Sequence, residues 1–201
     1  MVSQSLPNLY LADPDVQLML QVMAGESDAF ETLVTRYQNR LIGFFYHLVR
    51  DRAMAEDMTQ EVFLRVFRSR ERYTPTARFS TWLFHIAHNL ASNQRRGLAR
   101  RREIPLGSSG DEDESSTTVE NLPEKSALMP TRQIDSRETQ DIVRNALDSL
   151  SERQKTVVLL HRFEGMGYQD IGDVMGLNVV AVKSLLARAR LNLKEALERH
   201  V

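Results

Sequence analysis

The sequence predicts an all-α protein of two small helical domains joined by an acidic flexible linker. Three observations carry that prediction. Apolar residues recur at helical spacing along almost every periodic segment. Strand-like alternation bounded by turn signals is absent. One internal stretch, "IPLGSSGDEDESSTTVENLPEKSALMP", combines glycines, prolines, a Ser/Thr cluster and an acid run, and cannot bury enough apolar surface to fold.

The elements follow in order. Asp13-Pro14 forms an N-cap and first-turn pair, and Gly25 ends the first helix. Ser27 is expected to cap a long second helix running through "DAFETLVTRYQNRLIGFFYHLVR" to about Arg50. A third starts after Asp51 and continues to about Ser69, and a fourth spans about Ser80 to Arg101. Helices resume near Ser136, and "SERQ" at Ser151 to Gln154 fits a capping box opening "ERQKTVVLLHRFEG". Gly165 and Gly167 break that helix, and two short helices hinged at Gly176 follow. The expected organisation is a domain at 1–102, a linker at 103–134 and a domain at 135–201.

The net charge of -1 conceals segregation along the chain. From Arg65 to Arg102 there are ten arginines and one acid, Glu71; from Asp111 to Glu124 there are six acids and no base. That pattern fits a nucleic-acid-facing module followed by an acidic tether; a merely solvated arginine face is the plainer alternative. The chain has no cysteine, which excludes disulfides, thiolate metal sites and thiol nucleophiles. It has no apolar run of about 18 residues and no signal-peptide pattern at its N-terminus, so a soluble, cytoplasmic protein without membrane insertion is expected.

Helical geometry then sorts the faces. Along Val179 to Leu197, the residues Val182, Leu186, Ala189, Leu193 and Leu197 form one apolar stripe, predicted to pack on Ile171, Val174 and Met175. Val180, Ser184, Ala187, Arg188 and Leu191 lie opposite, flanked by Lys183 and Arg190. This is a helix-turn-helix with its second helix turned outward, where Arg and Ser can donate to phosphates or guanine edges and Val180 or Ala187 can meet thymine methyls. An ordinary antiparallel helix pair with solvated cations gives the same local pattern. On the third helix, Asp57, Gln60, Glu61, Leu64 and Arg68 share one face, and a leucine amid polar residues suggests a protein interface. On the fourth, Phe79, Leu83, Ile86 and Leu90 make the core stripe, while His85, His88, Ser92, Arg95 and Arg96 gather opposite. His85 and His88 have metal-compatible spacing, but no third ligand accompanies them, so no metal or other cofactor is expected.

At these residues the chain resembles the extracytoplasmic-function (ECF) class of bacterial sigma factors, which retain only regions two and four. "AEDMTQEVFLRVF" resembles the family's core-polymerase contact, "RFSTWLFHIAHNLASNQRR" its promoter-melting and minus-10 segment, and "GMGYQDIGDVMGLNVVAVKSLLARARLNLKEAL" its minus-35 reader. The resemblance implies that Asp57, Gln60, Glu61 and Leu64 meet core RNA polymerase. It implies that Phe79, Ser80, Thr81 and Trp82 flank opened minus-10 bases, with Asn89, Asn93, Arg95 and Arg96 along the same DNA. Lys183, Ser184 and Arg188, beside Val180 and Ala187, would enter the minus-35 major groove. Members often carry Gly-Thr where this chain has Val180-Ala181, a basic residue at Leu185 and an aromatic one at Ala187, so the resemblance implies the mode of binding but not the minus-35 sequence. An anti-sigma factor is a further implied partner.

Two other function classes make demands that the sequence does not meet. An autonomous helix-turn-helix regulator would need a dimer seam or a receiver domain, and neither pattern is present. An enzyme would need a nucleophile with its base, paired carboxylates or a phosphate-cradling glycine loop, and the nine glycines form none. No catalytic residue is therefore expected.

Overall fold

The structure, a computed structural model, describes residues 10–103 and 142–198. The expected linker beyond residue 103 and the helical restart near Ser136 lie outside the described residues. Among the described residues every regular element is helical, as the periodicity predicts.

Local chemistry sets most helix ends. In α1 (Pro14–Met23) the Asp13 carboxylate accepts the Asp15 N–H at 3.0 Å, satisfying one of the free donors of the first turn. α2 (Ser27–Val49) departs from expectation at its start. Glu26, with extended φ and ψ of -74° and 103°, is the N-cap; Ser27 is already helical and no side chain caps the turn. The tight turn at Gly25 sets the chain into that geometry one residue earlier than the serine signal suggests. α2 ends at Arg50 in the left-handed region, and Asp51 then caps α3 (Arg52–Arg68) by accepting the Met54 N–H at 2.9 Å. A 3-10 turn, Arg70–Arg72, leads to α4 (Phe79–Glu103).

In the C-terminal half, a helical segment at 142–148 precedes α5 (Glu152–Arg162). Both bonds of the predicted Ser151–Gln154 capping box form, so two orphan donors are satisfied reciprocally. α6 (Tyr168–Met175) and α7 (Val179–Glu198) complete the chain.

Burial follows the predicted stripes. Val62, Val66 and Ala55 of α3, Phe79, Leu83 and Leu90 of α4, and Val182, Leu186 and Ala189 of α7 are all inside, each large side chain contributing roughly 1.5–3 kcal/mol by leaving water. Leu197, assigned to the α7 stripe, is exposed near the helix end.

The two halves do not stand apart. Leu41, Phe44 and Leu83 belong to one continuous buried cluster with Leu147, Val157, Ile171 and Leu186, and α4 lies against α6 while α2 meets α5. Among the described residues three ion pairs cross between the halves: Arg40–Glu164, Arg50–Asp148 and Arg95–Glu152. Arg40 Nε donates to Glu164 Oε2 at 2.8 Å. Burial raises the Glu164 carboxyl above its usual range, and the attraction of Arg40 offsets this only in part. Removing Arg40 would strand a buried charge, which costs more than the intact pair contributes. Asp148 behaves oppositely. Burial alone would raise it, but hydrogen bonds from Arg50 and Lys155 outweigh that and hold it below the usual carboxylate range.

Candidate polymerase and nucleic-acid interfaces

Three surfaces carry the residues singled out by the sequence. The first is the outer face of α3, where Asp57, Gln60, Leu64 and Arg68 are exposed and Glu61 is half-buried in an i,i+4 pair with Arg65 at 2.7 Å. The face is not uniformly polar. Leu64 is 48% exposed and Phe67, 42% exposed, lies one helical step beyond it. Phe67 stacks on Phe30 with ring centroids 5.2 Å apart and lies under the Arg70 guanidinium at 4.2 Å. Sequence reasoning passed over Phe67, although its spacing of three residues from Leu64 marks it as a neighbour on the same face. Two apolar side chains ringed by charge form the anatomy of a protein interface: a dry centre with a polar rim.

The second surface is the N-terminal two-thirds of α4. Phe79, expected beside opened bases, has no exposed surface at all. It stacks on Tyr37 at 5.4 Å and on Trp82 at 5.9 Å, and its N–H donates to Asp13 Oδ2 at 3.3 Å. In this structure Phe79 is a core residue whose effect on the surface is to hold Trp82. Trp82 itself is half-buried on Tyr73, 4.8 Å away. Burial, and after it the nearby Asp13 charge, pushes the Tyr73 phenol up to about 12, so this neighbour stays neutral. Thr81, also expected on DNA, is buried; its hydroxyl donates to Asp170 Oδ1 of α6 at 3.1 Å. Ser80 is half-buried, while Asn89, Asn93, Arg95 and Arg96 are exposed along the helix. Arg96 Nη2 donates to Asn93 Oδ1 at 2.8 Å, Asn89 Nδ2 lies 3.2 Å from His85 Nε2, and Arg95 is taken up by Glu152. His88 is pushed down by burial, then by His85, Arg95 and Arg153, and so resists carrying a cation of its own. Among the described residues no group of three potential ligands gathers around these histidines.

The third surface is α7, and its aim is set by the turn before it. Gly176 adopts φ 64°, and the Leu177 N–H donates to the Gly172 carbonyl at 2.9 Å. Gly172 is itself obligatory for the turn: a Cβ there would lie 2.6 Å from the Leu177 carbonyl oxygen. Asn178, which the sequence reading did not single out, accepts the Ala181 N–H at 2.8 Å and starts α7. The Asn immediately before a periodic apolar run was the available signal. With its buried stripe on α5 and α6, the helix turns Val180, Lys183, Ser184, Ala187, Arg188 and Leu191 to solvent, and Val180 is 75% exposed. A single helix with methyls, hydroxyl and guanidinium on one free face has the dimensions and chemistry of a major-groove reader.

Comparison with known proteins identifies the family. Residues 33–101 match the family described as Sigma-70 region 2, and residues 140–193 match Sigma-70, region 4. The RNA polymerase sigma-H factor of Pseudomonas aeruginosa is 33% identical over 190 residues, 92% of this chain and 95% of that protein. The chain belongs to the ECF sigma factors. The ECF RNA polymerase sigma-E factor of Haemophilus influenzae is likewise 33% identical over 178 residues, covering 88% of this chain and 91% of its own length. Among solved structures, this ECF sigma factor shares the fold of CnrH, solved in complex with the cytosolic domain of CnrY: TM-score 0.68 at 23% identity over 94% of this chain and all of that one. It also shares the fold of RpoE from Bartonella quintana, solved with the anti-sigma factor NepR: TM-score 0.63 at 22% identity, covering 84% and 96%. No helix among the described residues is long and apolar enough to cross a membrane.

Proposed function

We propose that this sigma factor joins core RNA polymerase and directs it to promoters through two DNA contacts, working in the cytoplasm. Residues 1–102 serve as the polymerase-binding and minus-10 domain, 103–134 as a tether and 135–201 as the minus-35 domain. The observation that carries the reading is the free outer face of α7 behind its glycine-locked turn, on the same chain as the apolar-centred face of α3.

The division of labour follows from the chemistry of each face. Asp57, Gln60, Glu61, Leu64 and Phe67 form the polymerase contact, with the two apolar side chains at its centre and charges at its rim. Trp82, braced by Phe79 and Tyr73, offers an aromatic surface for an unstacked base, while Asn89, Asn93, Arg95 and Arg96 follow the backbone of the opened strand. Phe79 positions Trp82 and does not itself touch DNA. On α7, Arg188 and Lys183 supply cations, Ser184 a donor and acceptor, and Val180 and Ala187 apolar contact for thymine methyls. The protein makes and breaks no covalent bond, and RNA synthesis belongs to the polymerase. An anti-sigma factor is proposed as a regulatory partner.

In vitro transcription from genomic fragments with purified core polymerase tests this reading. New start sites should appear only when the protein is added, and the chain alone should bind those promoters weakly. Tight, sequence-specific promoter binding without polymerase, and no new transcripts with it, would refute the sigma assignment in favour of an autonomous regulator.

A further inference from the structure

A cavity of about 310 Å³ lies between α2 and the end of α5, away from the three surfaces assigned to polymerase and DNA. Buried Phe44 and Leu159 line it, together with Phe163, which keeps 60% of its surface exposed. Gly43, in the interior of α2, opens the space. A Cβ there would meet nothing within 4 Å, and the backbone is ordinary α-helix, so neither packing nor conformation calls for glycine. Glycine inside a helix lowers stability relative to alanine, and at this position its effect is to keep the cavity open. His47, one helical turn further along α2, stacks on Phe163 with ring centroids 5.6 Å apart. Its Nδ1 is buried and finds no hydrogen-bond partner among the described residues.

We infer that this cavity is a binding site for a small neutral aromatic alcohol of one or two rings, with its rings against Phe44 and Phe163 and its hydroxyl on the His47 imidazole. Each part of that description follows from the walls. Two phenylalanines and a leucine favour a flat apolar body, since aromatic rings gain from edge or offset contact as well as from leaving water. An apolar cavity of ~150 Å³ takes up benzene, so roughly twice that volume suits a bicyclic ring system. The charges in the wall, Arg40 and Glu164, are paired with one another, and a charged ligand would lose its water with no counter-ion in exchange. Burial, and after it Arg50, Lys155 and Arg144, keep His47 neutral against the pull of Asp148. A neutral imidazole has one donor and one acceptor nitrogen, and a hydroxyl, able to donate or accept, satisfies Nδ1 in either tautomer. The half-buried ring brings Nδ1 to the ligand by a half-turn about Cβ–Cγ, a broad two-fold torsion. The site goes beyond the sigma reading and does not depend on it, because its residues belong to none of α3, α4 and α7.

Titration of the free, full-length chain with naphthol tests the site, read by naphthol fluorescence and by the proton NMR signals of the His47 ring. Saturable one-to-one binding that shifts those signals is expected. Gly43→Leu puts a side chain into the opening and should weaken binding about tenfold or more. Gly43→Ala fills it only in part; it should weaken binding less, while raising the melting temperature by roughly 2–4 °C through helix propensity. His47→Phe keeps a ring and removes both nitrogens. Naphthol should then bind roughly fivefold more weakly, the loss of one hydrogen bond, and naphthalene should bind as it does to wild type. Naphthalenesulfonate, an anion of similar shape, should bind the wild-type chain far more weakly than naphthol. The inference is overturned if naphthol does not saturate the wild-type chain, or if both Gly43 variants bind it as wild type does. It is equally overturned if the sulfonate binds as tightly as the alcohol, or if His47→Phe leaves naphthol affinity unchanged or weakens naphthol and naphthalene alike.

Discussion

Replacing Gly172 by alanine tests the link between the turn and the aim of α7. The new Cβ would lie 2.6 Å from the Leu177 carbonyl oxygen, which is backbone and cannot rotate away. Relief to ordinary contact requires a shift of ~0.8 Å in that carbonyl. The next residue, Asn178, holds the first turn of α7 through its 2.8 Å bond to the Ala181 N–H, so the displacement is passed directly to the recognition helix. Overpacking of this kind costs roughly 1–3 kcal/mol, and alanine regains ~1 kcal/mol over glycine within a helix. The net is a loss of up to about 2 kcal/mol, or up to roughly 8 °C in melting temperature for a chain of this size. Gly176→Ala is the companion. It meets nothing within 4 Å but retains φ 64°, so its cost is left-handed strain alone, roughly 1–2 kcal/mol. Calorimetry measures both, and transcription from promoters with intact or scrambled minus-35 elements measures aim. Gly172→Ala should lose the advantage conferred by the intact element, and Gly176→Ala should largely keep it. A Gly172→Ala protein that melts at or above the wild-type temperature and still discriminates the two promoters would refute the steric argument.

Three further expectations follow from the other surfaces. Asp57→Arg combined with Glu61→Lys should abolish co-purification with core polymerase while leaving helicity and melting nearly unchanged, because both side chains lie on the solvated face of α3 and the Glu61–Arg65 pair contributes little on its own. Arg188→Ala should cost about 1–3 kcal/mol in promoter binding and relax preference at one base pair if the guanidinium reads a base; a uniform loss over a library of minus-35 sequences would assign it to phosphate instead. Closure of the two halves should weaken as pH falls below about 6.5. His47 stacks on Phe163, 5.6 Å away, and its pKa is lowered by burial and then by Arg50, Lys155 and Arg144, against the opposing pull of Asp148. Its neutral form is therefore favoured when closed; the stability it contributes is full above the ordinary histidine range and is lost as pH falls through that range toward the depressed value. The raised Glu164 carboxyl has the opposite sign, so the assay compares wild type with His47→Gln, by the distance between dyes placed on the two halves, between pH 7 and 6; equal pH dependence in the two would remove His47 from the account.

Much of this protein was legible in its sequence because the signals involved are local. Asp13, Asp51 and the Ser151–Gln154 box act on N–H groups two or three residues away, and the structure forms each of those bonds. Helical periodicity likewise separated Val182, Leu186 and Ala189 from Val180, Ser184 and Arg188, since a stripe that faces the core is written at fixed spacing along one element. The capping error at Ser27 is also local in scale: a propensity for serine does not register that Gly25 has already turned the chain. Tertiary structure alone decided which of the residues proposed to face DNA are free. Phe79 is hidden by Tyr37, 42 positions before it, and Thr81 by Asp170, 89 positions after it. Periodicity within α4 places both residues near the helix start but contains no term for a partner that far along the chain. Likewise, the acids of the C-terminal half read as an ordinary solvated complement of charge until the fold sets Glu164 against Arg40, and Glu152 against Arg95. Charge counts along the sequence fix sign and number; pairing depends on distance in space, where desolvation and Coulomb attraction act.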